Sequence, residues 1–290
     1  MYPKFERDEF LPFVSIVIPT FNRKKLLEKC LNSLFKMDYP KSKFEVIVVD
    51  GGSTDGTALM IKRKFPMAKL VVEKRRGRSF ARNTGWKYAK GQFVAYTDDD
   101  CVVDRFWLRS LMGGFNEKGV GGVGGPLLLL LYPESTCRKF DGTPVGDFHY
   151  GRKRIFVKEL VTANLAVKYE VFDKNKFDVS LIYDLEDIDF CKSLIESGFK
   201  LLYVPDAKVY HNLDPKKVTV KYILKRAFFA GISLYIMERK RNDKILLTAK
   251  FLRKSIGGFV HFLLKRRLSD FFWFAKCSVA FLTSVLLIFN

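Results

Sequence analysis

Polar residues follow three short apolar runs of the sequence, and their side chains are of types that bind nucleotides and metal ions. The three clusters are Pro19 with Thr20, Asp50 with Gly51 and Gly52, and Asp98 with Asp99 and Asp100. If each apolar run is a strand of an open parallel sheet, the clusters lie at the carboxyl ends of strands, where such sheets bind ligands. The pattern therefore predicts a nucleotide site at one edge of a sheet.

Asp98 and Asp100 are candidate metal ligands. Side chains at positions i and i+2 of an extended chain point the same way, so these two carboxylates can converge while Asp99 turns aside. Paired carboxylates suit Mg²⁺ or Mn²⁺, and both ions also bind the oxygens of a diphosphate. The alternative is a solvated acidic turn, which the repulsion between three adjacent acids disfavours unless a cation is bound.

Three further features carry polar groups whose role the residues alone leave open. Four acids fall between residues 184 and 189, at the start of a predicted helix. There they either complement the helix dipole or, near a bound sugar, take a proton from an attacking hydroxyl. His211 is a packing residue or a ligand, and Asn164 makes a structural hydrogen bond or a substrate contact. The G-x-G-x-x-G match at residues 119–124 lacks a preceding strand and a following helix start, so it does not indicate a dinucleotide site.

Apolar runs and helical spacing alternate along the first hundred residues. Strands are predicted at 14–18, 44–49, 70–72 and 93–97, with helices between them, the first of them capped by Asn22. Such alternation predicts an α/β fold with a mainly parallel sheet and helices on both faces. Further along we predict strands at 160–167 and 199–204, a helix at 185–196 and a mobile polar loop at 132–154.

The net charge of +20 is concentrated in the last quarter of the chain. Residues 216–290 carry 16 Lys and Arg against three acids, whereas residues 1–215 carry 35 against 28. Because the sheet region is nearly balanced, the charge does not favour a nucleic-acid binder. We therefore expect a catalytic domain at 1–215 and a basic, apolar helical tail at 216–290 that associates with anionic membrane lipid.

The end of this tail is apolar enough to suggest a membrane helix. Residues 271–289 contain one charge, Lys276, and follow a cluster of three basic residues. A spanning helix needs ~20 apolar residues, and flanking basic residues stay in the cytosol. The stretch predicts a transmembrane helix, and the alternatives are a helix lying in the interface or a buried core helix.

Seven ordered blocks resemble the family 2 glycosyltransferases. They are VSIVIPTFN at 14–22, VVDGGSTDGT at 48–57, ARNTG at 81–85, GQFVAYTDDDC at 91–101, TANLA at 162–166, EDIDF at 186–190 and VPDAKVYH at 204–211. The resemblance implies a GT-A fold, a nucleotide-sugar donor, Mg²⁺ or Mn²⁺, and inversion at the anomeric carbon.

The resemblance also implies a role for each matching residue. Pro19, Thr20 and Asp50 would line the nucleoside pocket, Arg78 or Arg82 would meet the diphosphate or base, Asp98 would contact the ribose or donor, and Asn164 the donor. Asp100 would hold the metal together with Asp98, and His211 would be a further contact to the metal or the diphosphate. Asp187 would be the catalytic base, and Glu186 would orient the acceptor. Two positions depart from the family pattern: Gly51 replaces a second acid, and Thr162 replaces a glycine.

The tail favours an acceptor that is itself held at the membrane. A catalytic domain kept at the cytoplasmic face would meet a polyprenyl-linked or other lipid-linked glycan more readily than a soluble sugar. Two other functions stay open from the residues, a metal-dependent nucleotidyltransferase and a non-catalytic basic protein that binds membranes or nucleic acid. A nucleotidyltransferase would release pyrophosphate, whereas a glycosyltransferase would release a nucleoside diphosphate.

Overall fold

A computed structural model describes residues 11–130, 148–182, 184–212, 219–240, 250–251, 253–256, 258 and 268–286. The chain forms two units. The first contains the described residues of 1–130, 148–178 and 187–212, and the second contains those of 179–186 and 213–290. Most of the polar loop predicted at 132–154 lies outside the described residues.

The described strands of the first unit form two sheets. The strands are β1 Val14–Thr20, β2 Phe44–Asp50, β3 Ala68–Val72, β4 Phe93–Tyr96, β5 Cys101–Val103, β6 Val120–Gly124, β7 Leu127–Leu129, β8 Ile155–Val157, β9 Leu165–Lys168, β10 Lys200–Tyr203 and β11 Val209–His211. The large sheet has the order β3-β2-β1-β4-β9-β6-β10-β8, and the small one has the order β5-β11-β7. In the large sheet β9 and β8 pair antiparallel with their neighbours and the other pairs are parallel, which confirms the mainly parallel sheet.

Alternate residues of the central strands face two different hydrophobic cores. In β2, Val46 and Val48 pack into one core, whereas Ile47 and Val49 pack into the other. All seven residues of β1 are buried. A strand buried on both faces is a nearly continuous apolar run in the sequence, and this is why the sequence identified these strands.

Helices cover both cores. The helices are α1 Lys24–Leu34, α2 Thr57–Lys64, α3 Arg78–Lys87, α4 Trp107–Met112, α5 Glu186–Glu196, α6 Val220–Arg239 and α7 Leu268–Leu286. Helix α1 buries Leu27, Leu31 and Leu34 along one face against the first core, and α5 buries Phe190 and Leu194 in the second. The predicted helix at 185–196 is therefore confirmed to within one residue.

Two local predictions are wrong. Helix α1 begins at Lys24 with Arg23 at its N-cap. Asn22 instead has a left-handed φ of 52° and its side chain accepts a hydrogen bond from the backbone N–H of Thr54 at 2.7 Å. The strand predicted at 160–167 begins only at Leu165, because the preceding residues form a 3-10 turn.

In the second unit, α6 and α7 pack closely at Gly231. A Cβ on this residue would lie 2.6 Å from the carbonyl oxygen of Lys276. None of the helices that the structure describes has both the length and the hydropathy required to cross a bilayer. The transmembrane helix predicted at 271–289 is therefore not supported, and α7 includes the charged residues Asp270 and Lys276.

Candidate functional site

The carboxyl ends of three neighbouring strands meet at one edge of the large sheet. Strands β1, β2 and β4 end at Thr20, Asp50 and Tyr96, and β1 lies between the other two with parallel pairing on both sides. The register places Thr20 directly opposite Asp50, and Pro19 precedes Thr20 within β1. The structure therefore brings these residues and the acids after Tyr96 to one edge.

Asp50 is held in place through one of its two carboxylate oxygens. It is buried, and its Oδ1 accepts hydrogen bonds from the backbone N–H of Ser53 at 3.0 Å and from the Ser53 hydroxyl at 2.6 Å. Within the described part of the chain, no residue donates to Oδ2. The loop thus orients a carboxylate that can accept a hydrogen bond from a base edge.

Phe21 lies beside Asp50, and the sequence analysis did not single it out. Its side chain is 51% exposed although it directly follows a wholly buried strand. A Cβ on Gly51 would lie 3.2 Å from the Phe21 ring, so the second acid usual in the family would crowd the ring. Gly51 therefore permits an exposed aromatic face at the strand edge, a surface on which a base can stack.

The acidic turn after β4 is arranged differently from the prediction. Asp98 pairs with Arg82 at 3.2 Å, whereas Asp99 and Asp100 each lie 2.9 Å from the same Arg23 nitrogen. The hydroxyl of Thr20 donates to Asp99 at 2.8 Å. The i and i+2 alternation fails because the chain turns at these residues instead of continuing as a strand.

Burial and mutual repulsion shape the charge of this turn. Burial raises the pKa of Asp99 to about 6; the Arg23 charge opposes this rise and the Asp100 charge adds to it. Burial lowers the pKa of Arg23, but the Asp99 and Asp100 carboxylates outweigh it and leave that pKa above its usual value. Arg23 therefore serves as the permanent counter-charge of the turn.

His211 reaches the acidic turn through the small sheet. Strand β11 pairs antiparallel with β5 and sets His211 opposite Cys101, and His211 Nε2 lies 3.4 Å from Asp100 Oδ1. A carboxylate oxygen beside an imidazole nitrogen suits a divalent cation such as Mn²⁺. No group of three or more His, Cys, Asp or Glu side chains that could hold a metal ion occurs among the described residues.

A series of contacts connects the acidic turn to helix α5. Arg82 is fully buried, pairs with Asp98 and lies over the ring of Phe177 at 5.7 Å. That ring stacks on Phe190 of α5 with 4.1 Å between centroids. Asn83 fixes the Phe177 backbone, donating to its carbonyl at 2.7 Å and accepting from its N–H at 3.0 Å. The first turns of α5 are therefore held against the Asp98 side of the edge.

Asp187 and Glu186 begin α5, as predicted. Asp187 is partly exposed, and its Oδ1 accepts a hydrogen bond from the Ile188 N–H at 2.8 Å. Glu186 is buried. Phe190 follows Asp187 by three residues on the same helix, so Asp187 lies at the end of α5 that Arg82 and Phe177 support. The catalytic roles of both acids remain predictions.

Glu73 is a second residue that the sequence analysis missed. It follows β3 at the same edge, and its backbone N–H donates to the Asp50 carbonyl at 2.9 Å. The Arg75 guanidinium hydrogen-bonds its carboxylate and holds the pKa of Glu73 at about 2, with help from the Thr84 hydroxyl. Arg78, the other predicted phosphate ligand, is the partly exposed first residue of α3.

The sequence left two roles open for Asn164, and the structure shows the structural hydrogen-bonding role. It is fully buried. Its amide donates to the carbonyls of Pro126 at 2.9 Å and Ala207 at 2.7 Å, and its Oδ1 accepts from the Trp107 indole at 2.8 Å. Because both amide hydrogens and the carbonyl oxygen are engaged by protein, the predicted donor contact is not supported.

The sequence of residues 15–160 matches the family described as glycosyl transferase family 2. The chain belongs to this family. Across 241 residues it is 33% identical to glycosyltransferase AglE of Haloferax volcanii, covering 79% of this chain and 76% of that protein. It is 29% identical over 268 residues to a dolichyl N-acetyl-α-D-glucosaminyl phosphate 3-β-D-2,3-diacetamido-2,3-dideoxy-β-D-glucuronosyltransferase of Methanococcus voltae, covering 87% and 80%.

The fold of this glycosyltransferase is GT-A-like. It superposes on the mannosyltransferase PcManGT of Pyrobaculum calidifontis in complex with GDP-Man and Mn²⁺ with a TM-score of 0.61. The sequence identity is 21%, and the match covers 96% of this chain and 74% of that one. Membership of the family therefore identifies this protein as an enzyme that transfers sugar from a nucleotide-sugar donor.

Proposed function

We propose that this glycosyltransferase uses a divalent cation, inverts the anomeric carbon and glycosylates a hydroxyl of a lipid-linked glycan at the cytoplasmic face of the membrane. The observation that carries the proposal is the meeting of Asp50, the exposed Phe21 ring and the Asp100–His211 pair at one edge of the sheet. The carboxylate and the ring suit a nucleoside base, and the carboxylate–imidazole pair suits a cation, which would in turn bind the diphosphate oxygens.

Donor binding is assigned to the strand ends. The free Asp50 oxygen would accept a hydrogen bond from the base, which would stack on Phe21. The Thr20 hydroxyl already donates to Asp99, so Pro19 and Thr20 would line the pocket without hydrogen-bonding the nucleoside through that hydroxyl. Asp98, steadied by Arg82, would contact the ribose.

Asp100 and His211 would hold Mg²⁺ or Mn²⁺. When bound, such a cation neutralises the charge that develops on a departing nucleoside diphosphate. Asp187 would take the proton of the acceptor hydroxyl as that hydroxyl attacks the sugar from the face opposite the diphosphate. Glu186 would orient the acceptor. Attack from the opposite face gives inversion.

The lipid-linked acceptor and the membrane location are supported by one relative and one surface. The Methanococcus voltae relative is named for a dolichyl-linked substrate. On α6, the exposed residues Lys221, Leu224, Lys225 and Phe228 follow at one-turn spacing and form a face that is both basic and apolar. Such a face suits the surface of an anionic bilayer, since apolar groups enter the interface and lysines meet the headgroups.

The test is a panel of UDP-glucose, UDP-N-acetylglucosamine, GDP-mannose and dTDP-glucose, each with Mn²⁺ or with EDTA. We expect one nucleotide type to raise the melting temperature only when Mn²⁺ is present. The same donor should then yield a nucleoside diphosphate and a product of inverted anomeric configuration by NMR. Release of pyrophosphate, or a retained configuration, would contradict the proposal.

A further inference from the structure

Asp184 is held by an ion pair to helix α6. Arg226 donates from one guanidinium nitrogen to Asp184 Oδ2 at 2.7 Å, and both side chains are largely buried, with 25% and 16% of their surface exposed. A charge-assisted hydrogen bond of this length is about twice as strong as a neutral one. The sequence left this acid either as a complement to the α5 dipole or as a proton acceptor near a bound sugar, and the structure gives it a specific partner within the second unit.

The residue after Asp184 has an unfavourable backbone conformation. Leu185 has a φ of +68°, in the left-handed region that is unfavourable for a residue with a Cβ. Its side chain is buried, and α5 starts at the next residue, Glu186. Such a conformation persists only when the surrounding contacts impose it. Two features adjoin this conformation: the leucine side chain is buried, and the preceding Asp184 is bonded to Arg226.

We propose that Arg226 is a positioning residue for Asp187. By fixing Asp184 it holds Leu185 in the left-handed conformation, and that conformation sets the direction in which α5 leaves the preceding segment. Asp187 lies in the first turn of α5, so its carboxylate moves with the start of the helix. The inference rests on the proposed role of Asp187 as catalytic base, and it adds α6 to the elements that determine the rate of sugar transfer.

The effect should be on the chemical step and not on donor binding. A misplacement of about 1 Å in a catalytic group can lower a rate by about 10²-fold. The residues assigned to the donor, by contrast, lie on other elements of the sheet edge. Loss of the ion pair should therefore reduce kcat by about 10- to 100-fold while the dissociation constants for Mn²⁺ and the nucleotide sugar stay unchanged.

The experiment measures release of nucleoside diphosphate with water as the acceptor, using the full-length protein and the donor that the panel identifies. Arg226→Gln removes the positive charge of the ion pair, and the nearly isosteric Asp184→Asn removes its negative charge. Arg226→Lys keeps one donor and the charge, and should retain kcat within about threefold. The control Arg239→Gln removes an exposed charge from the same helix and should behave as the unmodified protein.

The double variant separates positioning from general damage. If the two residues act as one unit, Arg226→Gln with Asp184→Asn should lose no more activity than either change alone. The inference is overturned if a folded single variant keeps full kcat, or if kcat and donor affinity fall together. If Asp187→Asn is inactive while Arg226→Gln is fully active, the positioning role of Arg226 is wrong and the proposed role of Asp187 is unaffected. An unmodified protein that releases no diphosphate from any donor contradicts the proposed function instead.

Discussion

Gly85 offers the sharpest test of how the sheet and helix α3 are packed. A Cβ on this residue would lie 2.2 Å from Val17 Cγ1, whereas carbon atoms make favourable contact at ~3.5–4.0 Å. Val17 is fully buried in β1, so Gly85→Ala must displace α3 or the strand by about 1 Å or more. Because the overlap is severe, we take the upper end of the ~1–3 kcal/mol that overpacking costs. The higher helix propensity of alanine offsets ~1 kcal/mol of this, so we expect a net destabilisation of about 2 kcal/mol.

The assay is equilibrium unfolding in guanidinium chloride, with Gly113→Ala as the matched control. A Cβ on Gly113 would meet its nearest neighbour, the Arg109 carbonyl oxygen, at an ordinary 3.5 Å. This control should change the free energy of unfolding by no more than ~0.5 kcal/mol. Val17→Ala alone should cost about 2 kcal/mol as a large-to-small core change. Combined with Gly85→Ala it should cost less than the sum, because the smaller side chain makes room for the new methyl.

Two outcomes would refute this packing argument. One is a Gly85→Ala protein as stable as the Gly113→Ala protein, and the other is strict additivity with Val17→Ala. The change should also be visible at the site, since α3 carries Arg82, which pairs with Asp98. We therefore expect the affinity for the nucleotide-sugar donor to fall together with stability, and both to recover in part in the double variant.

Four further predictions concern the catalytic base, the cation site, the effect of pH on stability and binding to membranes. Asp187→Asn should lower kcat by ~10²- to 10⁴-fold and spare donor binding, measured by diphosphate release and calorimetry. Asp100→Ala should remove the dependence of donor affinity on Mn²⁺, measured by thermal shift with and without EDTA. The pKa of Glu73 is about 2 in the folded protein and is near 4.5 without its partners, so its stabilising effect is complete above pH ~4.5 and is lost as pH falls toward 2. Urea unfolding at pH 3 and pH 6 should therefore show a smaller loss of stability on acidification in Glu73→Gln than in the unmodified protein. Replacing Lys221 and Lys225 by Gln should weaken flotation with phosphatidylglycerol vesicles by about 30-fold, from ~1 kcal/mol per lysine, and leave phosphatidylcholine vesicles unaffected.

Each of these has a result that would contradict it. The catalytic-base prediction is contradicted if Asp187→Asn releases diphosphate at the unmodified rate, and the cation prediction if donor binding by Asp100→Ala still depends on Mn²⁺. The pH prediction is contradicted if Glu73→Gln and the unmodified protein lose equal stability on acidification. The membrane prediction is contradicted if the variant lacking Lys221 and Lys225 floats with the vesicles as well as the unmodified protein. Lys62→Gln with Arg63→Gln, two exposed residues of α2, is the charge-matched control for the vesicles.

The sequence predicts the central strands well because their burial on both faces makes them apolar throughout. It also identifies Thr20, Asp50 and the acids after β4 as one site, since parallel strands end at a common edge. The sequence does not predict the direction of the side chains beyond the end of a strand. The alternation that applies within β4 no longer applies at Asp99, and the outcome depends on Arg23, a residue 76 positions away.

The residues missed by sequence reasoning share a dependence on distant partners. Phe21 lies against Gly51, a residue 30 positions away that follows β2, and a Cβ there would crowd the ring. Glu73 looks like an ordinary charged residue until Arg75 and Thr84 converge on it. Asn164 is a different case, since the residues alone left a structural hydrogen bond and a substrate contact equally open, and the structure shows three hydrogen bonds to protein. The sequence signal that would have identified Phe21 is an aromatic residue immediately after a predicted buried strand.

The two oxygens of Asp100 have different neighbours, and this bears on the proposed cation site. Oδ2 lies beside Arg23, which also pairs with Asp99, and Oδ1 lies beside His211. A divalent cation bound as proposed, at Oδ1 and the imidazole, would leave the Arg23 contacts in place, because those contacts use the other oxygen. The guanidinium is charged at every relevant pH, so it would compensate Asp99 and Asp100 with or without such a cation. Release of the cation would then not leave two uncompensated carboxylates next to each other.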